Sequence, residues 1–178
     1  MATDIASAPL RRGKAWAEHE GLRVDYVRAD LQRPFGRGLF DVVTAMESLV
    51  EIPDDRAAIA SLAGALRSGG LLVAQVPTAD WTPALKSAEQ TWRREARHGY
   101  TADELRSTLD EVGLDVVTIR PTFRRTVALA QDVRDRYKRR PRRTQVAMLP
   151  LMAAAVGLER RHLTWGPARA LLVVARKR

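Results

Sequence analysis

The apolar run Leu71–Val76, entered through Gly69-Gly70 and closed by Pro77, constrains the fold of this chain more than any other feature. A continuous apolar strand needs cover on both faces, the signature of a central strand in a sheet flanked by helices. The sequence supplies such helices. Pro53 and Asp54 open one that runs to about Arg67, with Ala58, Ile59, Leu62, Ala63 and Leu66 on one face and Gly69-Gly70 as its stop. Before it, Leu39–Ala45 reads as a second strand with enough apolar character for a central position. Asp30–Gly38, with Pro34, Gly36 and Gly38, reads as loop. Leu22–Val27 alternates with period two and reads as a half-buried strand. A helix over 7–20 precedes it, stopped by Gly21, with Ala15 and Trp16 turned to a core.

Downstream, residues 83–97 read as a polar surface helix. Thr101 caps the next helix, with Glu104 completing a capping box and Gly113 ending it. Val116–Ile119 begins a fourth strand. Thr126–Arg139 is amphipathic, with Ala130, Val133 and Tyr137 in line, and Ala170–Ala175 is a last strand before a basic tail. Strands that alternate with helices predict an α/β fold with parallel strands. With 178 residues, no repeat and no low-complexity linker, the chain reads as one domain over 1–178. A helical basic and apolar insertion at about 125–165, marked by the basic turn Lys138–Arg143, lies between late sheet elements.

Composition narrows the function classes. Cysteine is absent, which excludes disulfides and thiolate metal sites and fits a cytoplasmic protein; no metal is expected. The N-terminus has no basic-then-apolar leader. The longest apolar run, Val146–Leu158, holds thirteen residues with Pro150 inside, short of the roughly 18 that span a bilayer. It reads as a buried helix, a pocket cap or an interfacial segment. The net charge of +9, rich in Arg, suits an anionic partner, or reflects a GC-rich bacterial genome. The stretch from Arg134 to Arg143 reads first as a solvated face and next as a peripheral contact with an anionic membrane. Nucleic acid comes third, because aromatics beyond Tyr137 are missing.

These residues, taken in order, resemble a known family. Phe40-Asp41-Val42-Val43, then Leu66-Arg67-Ser68-Gly69-Gly70-Leu71-Leu72-Val73 with Pro77, then His98-Gly99-Tyr100-Thr101 to Leu105 with Val112-Gly113-Leu114, and the closing Leu171–Lys177 are similar to the class I S-adenosylmethionine-dependent methyltransferases. The resemblance covers nearly the whole chain and is loosest over 125–165. Thr44–Leu49 is similar to the quinone-biosynthesis O-methyltransferases of that family. It implies a Rossmann-like sheet with a final antiparallel strand. It also places the family's first strand and glycine-rich cofactor turn before Met1, so the sheet is expected to be incomplete at the N-terminus, with backbone groups left open on the strands either side. A misassigned start, a gene remnant and a different, non-catalytic fold are the competing explanations.

The resemblance further implies S-adenosylmethionine as cofactor. Asp4, ending the family's second strand, would accept from the ribose hydroxyls; Asp30 would bond the adenine amino group; Leu31 would lie beside the ring, and Met46 would complete the site. One carboxylate can accept both hydroxyls of a diol. The plainer alternative makes Asp4 and Asp30 ordinary turn carboxylates. No catalytic residue is assigned. Glu51, standing where many relatives carry His, and His98 are weak candidates for a base; the plainer reading is a helix-flanking surface acid for Glu51 and a structural or solvated side chain for His98; Trp81 either walls the pocket or packs under a loop. The expected activity is methyl transfer to a small-molecule or lipid-like acceptor, with oxygen slightly preferred. The alternative is a degenerate binding or scaffold module without catalysis, at an anionic membrane surface.

Overall fold

The computed structural model describes residues 1–81, 96–137, 142–161 and 166–178. The first unit is a β-α-β element: strand β1 (Ala2–Asp4), helix α1 (Ser7–His19) and strand β2 (Tyr26–Arg28). β1 and β2 pair in parallel, with Thr3 opposite Val27. The second unit is a four-stranded sheet of β3 (Phe40–Met46), β4 (Leu66–Pro77), β5 (Leu114–Thr122) and β6 (Ala170–Lys177). Its order is β3-β4-β6-β5. β3 and β4 are parallel, and β6 runs antiparallel to both β4 and β5, as expected of a closing strand. Helix α2 (Asp55–Ala65) connects β3 to β4, and helix α3 (Ala102–Glu111) precedes β5. Between β5 and β6 lie α4 (Arg125–Tyr137), α5 (Arg142–Ala147) and α6 (Leu149–Arg160). This is an α/β, Rossmann-like arrangement with one antiparallel strand.

The core sits under the four-stranded sheet. Leu72, Ala74, Val76, Leu114, Val173 and Ala175 meet Ile59 and Leu62 of α2 and Leu105 and Leu109 of α3. Local chemistry sets the helix ends. The Asp54 carboxylate accepts the Ala57 N–H at 2.9 Å and caps α2. Thr101 and Glu104 form the reciprocal capping box on α3, and these bonds, from the Thr101 backbone first, hold the Glu104 carboxyl below its usual range. Gly113 takes φ +79° past the end of α3, a conformation that costs glycine little.

Several expectations need correction. Helix α2 stops at Ala65, ahead of the glycine pair, and Leu66–Gly70 already belongs to β4. The strand expected over Leu22–Val27 is confined to Tyr26–Arg28, because Leu22–Asp25 is exposed and the pairing with β1 starts at Tyr26. Trp16 and Ala15 face solvent, and Ala17 is the buried residue of α1. β3 is an edge strand of its sheet rather than a central one. The surface helix expected over 83–97 falls mostly outside the described residues, as do 138 and 139 at the end of the predicted 126–139 helix.

Candidate functional site

A cavity of about 490 Å³ separates the two sheets. Met1–Asp4 forms one wall and Phe40 and Val42–Met46 the other, with Leu31, Phe35, Ser48 and Leu62 closing it. It runs along the whole of β1 and nearly the whole of β3, and its far end lies at their carboxyl ends. Asp4 ends β1, Met46 ends β3, and Asp30 and Leu31 lie just past the end of β2. Open α/β sheets bind ligands outside the carboxyl ends of their strands, where the chain turns to different sides.

Main-chain polarity adds to the wall chemistry. The Ala2 N–H donates to Asp25 O and the Ala29 N–H to Asp4 O, so Ala2 and Asp4 direct their backbone groups to β2. Alternation then turns those of Thr3 toward the cavity. The Glu47 N–H donates to Gln75 O, which by the same alternation turns the backbone groups of Thr44 and Met46 away from β4. Among the described residues neither β1 nor β3 has a partner on this side. Val42 and Met46 are each about half exposed along that edge, 53% and 52%.

Asp4, Leu31 and Met46 therefore line one cavity. Asp4 is also engaged locally: its Oδ1 accepts the Ala6 N–H at 2.7 Å, fixing the turn into α1. Asp30 stands beside Leu31 but outside the lining. Its Oδ1 accepts the Gln32 N–H at 3.0 Å and Gln32 Nε2 at 3.2 Å. These bonds, the backbone one foremost, hold the Asp30 carboxyl below the usual carboxylate range, so it is ionised and able to accept.

The two base candidates are not brought to the cavity. Glu51 is exposed in the 3-10 turn Leu49–Glu51, and His98 is exposed ahead of Gly99. Trp81 is buried and packs with Ala128 of α4, so it walls a different part of the molecule. The sequence reading passed over Gln75, whose signal was a polar residue inside an apolar strand. Its Nε2 donates to Glu47 Oε1 at 2.8 Å, clasping a residue with φ +56°. A non-glycine residue in that conformation stores about 1–3 kcal/mol of strain. The kink it makes leads the chain into Ser48, on the cavity wall.

A second polar cluster braces the C-terminal side of the sheet. Tyr100 is fully buried, and its hydroxyl donates to Asp55 Oδ2 at 2.5 Å. Arg97 pairs with Asp55 at 3.0 Å and with Glu104 at 3.4 Å, and lies 4.0 Å over the Tyr100 ring. Burial, then the Asp55 carboxylate, raise the Tyr100 phenol well above its ordinary value, so it stays a donor.

The donor set fits the adenosyl half of S-adenosylmethionine. An apolar slot from Leu31, Phe35, Val43 and Met46 carries a carboxylate at its rim, and its volume lies in the range of small-molecule pockets, about 300–1,000 Å³.

Comparison with known proteins bears on the family and the fold. Residues 5–119 match the methyltransferase-domain family. Over 69 residues the chain is 33% identical to a ubiquinone biosynthesis O-methyltransferase of Erwinia tasmaniensis, a stretch that covers 38% of this chain and 28% of that protein. The fold superposes on the cyclase SpnF with a TM-score of 0.65 at 22% identity, covering 98% of this chain and 64% of that one. It superposes on phosphoethanolamine N-methyltransferase 2 of Haemonchus contortus, solved with S-adenosyl-L-methionine, with a TM-score of 0.67 at 15% identity, covering 98% and 42%. At these identities the solved structures bear on the fold alone.

Proposed function

This chain belongs to the class I S-adenosylmethionine-dependent methyltransferase family, and from that premise we propose that it takes part in methyl transfer to a small-molecule or lipid-like acceptor, with oxygen the preferred acceptor atom. The observation that carries the reading is the cavity that gathers Asp4, Leu31 and Met46 at the ends of two strands, with Asp30 beside it. The Erwinia relative is named as an O-methyltransferase of ubiquinone biosynthesis, which supports the preference for oxygen. The fold is shared with a cyclase, so the reading rests on the residues of the site and not on the fold.

In this reading Asp4 accepts from a vicinal diol, Asp30 accepts from an exocyclic amine, Leu31 packs beside a flat ring, and Met46 closes the slot. When bound, S-adenosylmethionine supplies a sulfonium methyl group for in-line displacement. The chain's own work is alignment and exclusion of water. Glu51 and His98 stand outside the lining, so the reading gives them no contact with the methyl donor and leaves them to the acceptor side. The chain and its insertion at about 125–165 act as a single domain.

Calorimetric titration of the 178-residue chain with S-adenosylhomocysteine tests the reading. Binding is expected, and Asp30→Ala should weaken it by about tenfold or more, roughly 1.4 kcal/mol. A chain that is folded by circular dichroism yet binds nothing overturns it in favour of the non-catalytic binding module. That second reading draws support from the exposed apolar surface of α6, which the cavity does not use.

A further inference from the structure

The surplus positive charge of this chain is not spread over it. Residues 133–178 hold thirteen of its thirty Lys and Arg but two of its twenty-one acids, Asp135 and Glu159, so the rest of the chain is slightly acidic. The same stretch carries α5 and α6, and α6 is apolar nearly all round. A helix of that kind in a globular protein belongs in a core, yet Ala155 is its one fully buried residue among those described. Met152 and Ala155 pack with Phe123, Val127 and Ala130, and this small cluster holds α6 against α4. The opposite arc faces solvent. Leu149 is 61% exposed, and Leu151, Val156 and Leu158 are 41–46% exposed; Val146 of α5 adds 53%.

Among the described residues, the exposed charges around that arc have one sign. Arg143 is exposed on α5, and Arg160 and Arg161 are exposed where α6 ends. The single acid of α6 turns inward: both Glu159 carboxylate oxygens accept the Arg124 N–H at 3.2 Å. Pro150 in the first turn fixes where α6 starts. With twelve residues, α6 is about 18 Å long. That is too short to cross a hydrocarbon core of about 30 Å, and among the described residues no helix is long and apolar enough to do so.

We propose that the outward face of α5 and α6 is a docking surface for an anionic lipid bilayer, with Leu149, Val156 and Leu158 entering the acyl boundary and Arg143, Arg160 and Arg161 meeting the headgroups. Charge complementarity selects this occupant. Outward aliphatic side chains, flanked by Arg143 on α5 and by Arg160 and Arg161 where α6 ends, supply the apolar area and the attraction to anionic lipid that hold a short helix at a membrane surface. A protein partner would need a strongly acidic rim to serve as well. The inference is independent of methyl transfer: it uses none of the residues around the cavity.

Co-sedimentation of the full chain with vesicles tests it. Vesicles of phosphatidylcholine alone are compared with vesicles containing phosphatidylglycerol, at low and at physiological salt. Binding to the anionic vesicles should exceed binding to the neutral ones by tenfold or more and fall as salt rises. The pair Leu149→Asp and Val156→Asp should reduce it by at least tenfold, and Arg160→Glu with Arg161→Glu should reduce it on anionic vesicles. Leu22→Asp, at a leucine of the N-terminal unit that is 51% exposed, should leave it unchanged. Thermal melts confirm that each variant is folded. No binding to anionic vesicles at low salt overturns the proposal, as does binding that the Leu149 and Val156 changes leave intact. A shift in oligomeric state in those variants without a change in vesicle binding would reassign the face to a protein contact and overturn it as well.

Discussion

The four-stranded sheet and the β1–α1–β2 unit belong to one chain and handle burial in opposite ways. Under the sheet, Leu72, Leu114 and Val173 are completely buried between strands and helices. In the N-terminal unit Ala17 is the one fully buried hydrophobic residue, while Trp16, Leu22, Val24 and Val27 stand 38–61% exposed. The cause is coverage rather than composition. β4 has a strand on each side, with helix residues packed into the same core, whereas β1 has a strand on one side and the cavity on the other. The rigid half therefore carries the fold, and the loosely packed half carries one wall of the site. That division matches the general finding that ligand-binding segments come from the low-stability end of a structure.

The comparison makes its largest prediction in the core. Leu72→Ala and Leu114→Ala should each cost about 2–5 kcal/mol in urea unfolding, because both side chains are fully enclosed. A cost below about 1 kcal/mol at both would dissolve the contrast between the halves. Next comes the stretch just ahead of α3. Gly99 takes φ +135°, and a Cβ there would lie 2.7 Å from Pro77 O. Gly99→Ala should cost about 1–3 kcal/mol. If it is neutral, the close approach of this stretch to the end of β4 is not a packing constraint.

The sheet was legible in the sequence because its signals are local and repeated. The Leu71–Val76 run, the Asp54 and Thr101 caps and Gly113 each act within a few residues, and each appears in the structure. Trp16 and Leu22–Asp25 depart from the sequence pattern for one reason: periodicity reports which face is apolar, not whether anything covers it. The same limit hid α6, whose apolar run fits a buried helix equally well on paper. In the site, Asp4, Leu31 and Met46 could be paired only through the family resemblance, since 42 residues separate the first from the last and no spacing rule joins them. The Gln75–Glu47 clasp was invisible because it depends on strand register.

The cluster that braces the sheet gives a smaller, pH-dependent effect. Burial disfavours the charged form of Asp55, but the Tyr100 hydroxyl and Arg97 outweigh it and leave the carboxyl below its usual range. A depressed folded value means the contribution is complete above the unfolded value of about 3.9 and is lost as pH falls through the folded one. Asp55→Asn should thus differ from wild type most near neutral pH and converge with it in acid, as read from melting temperatures across pH 2–7. Tyr100→Phe removes the hydroxyl donor and should cost about 1–2 kcal/mol at pH 7. An Asp55→Asn curve parallel to wild type at every pH would remove the electrostatic account of this cluster.

The smallest expected effect bears most directly on the comparison. Trp16 is the largest exposed side chain of the N-terminal unit, at 61%. If nothing packs on it, Trp16→Ala removes little buried area and should change stability by less than about 0.5 kcal/mol, the usual range for surface sites. The same unit should exchange its amide hydrogens faster than β4 and β6. S-adenosylhomocysteine should narrow that gap, because Asp4 and Leu31 line the cavity it would fill while the strands of the core gain nothing from it. A cost at Trp16 comparable to that at Leu72 would mean that α1 is covered in solution. The cover would then have to be a second copy or another chain, a distinction that concentration dependence of the melt settles, since self-association alone makes the melting temperature rise with protein concentration.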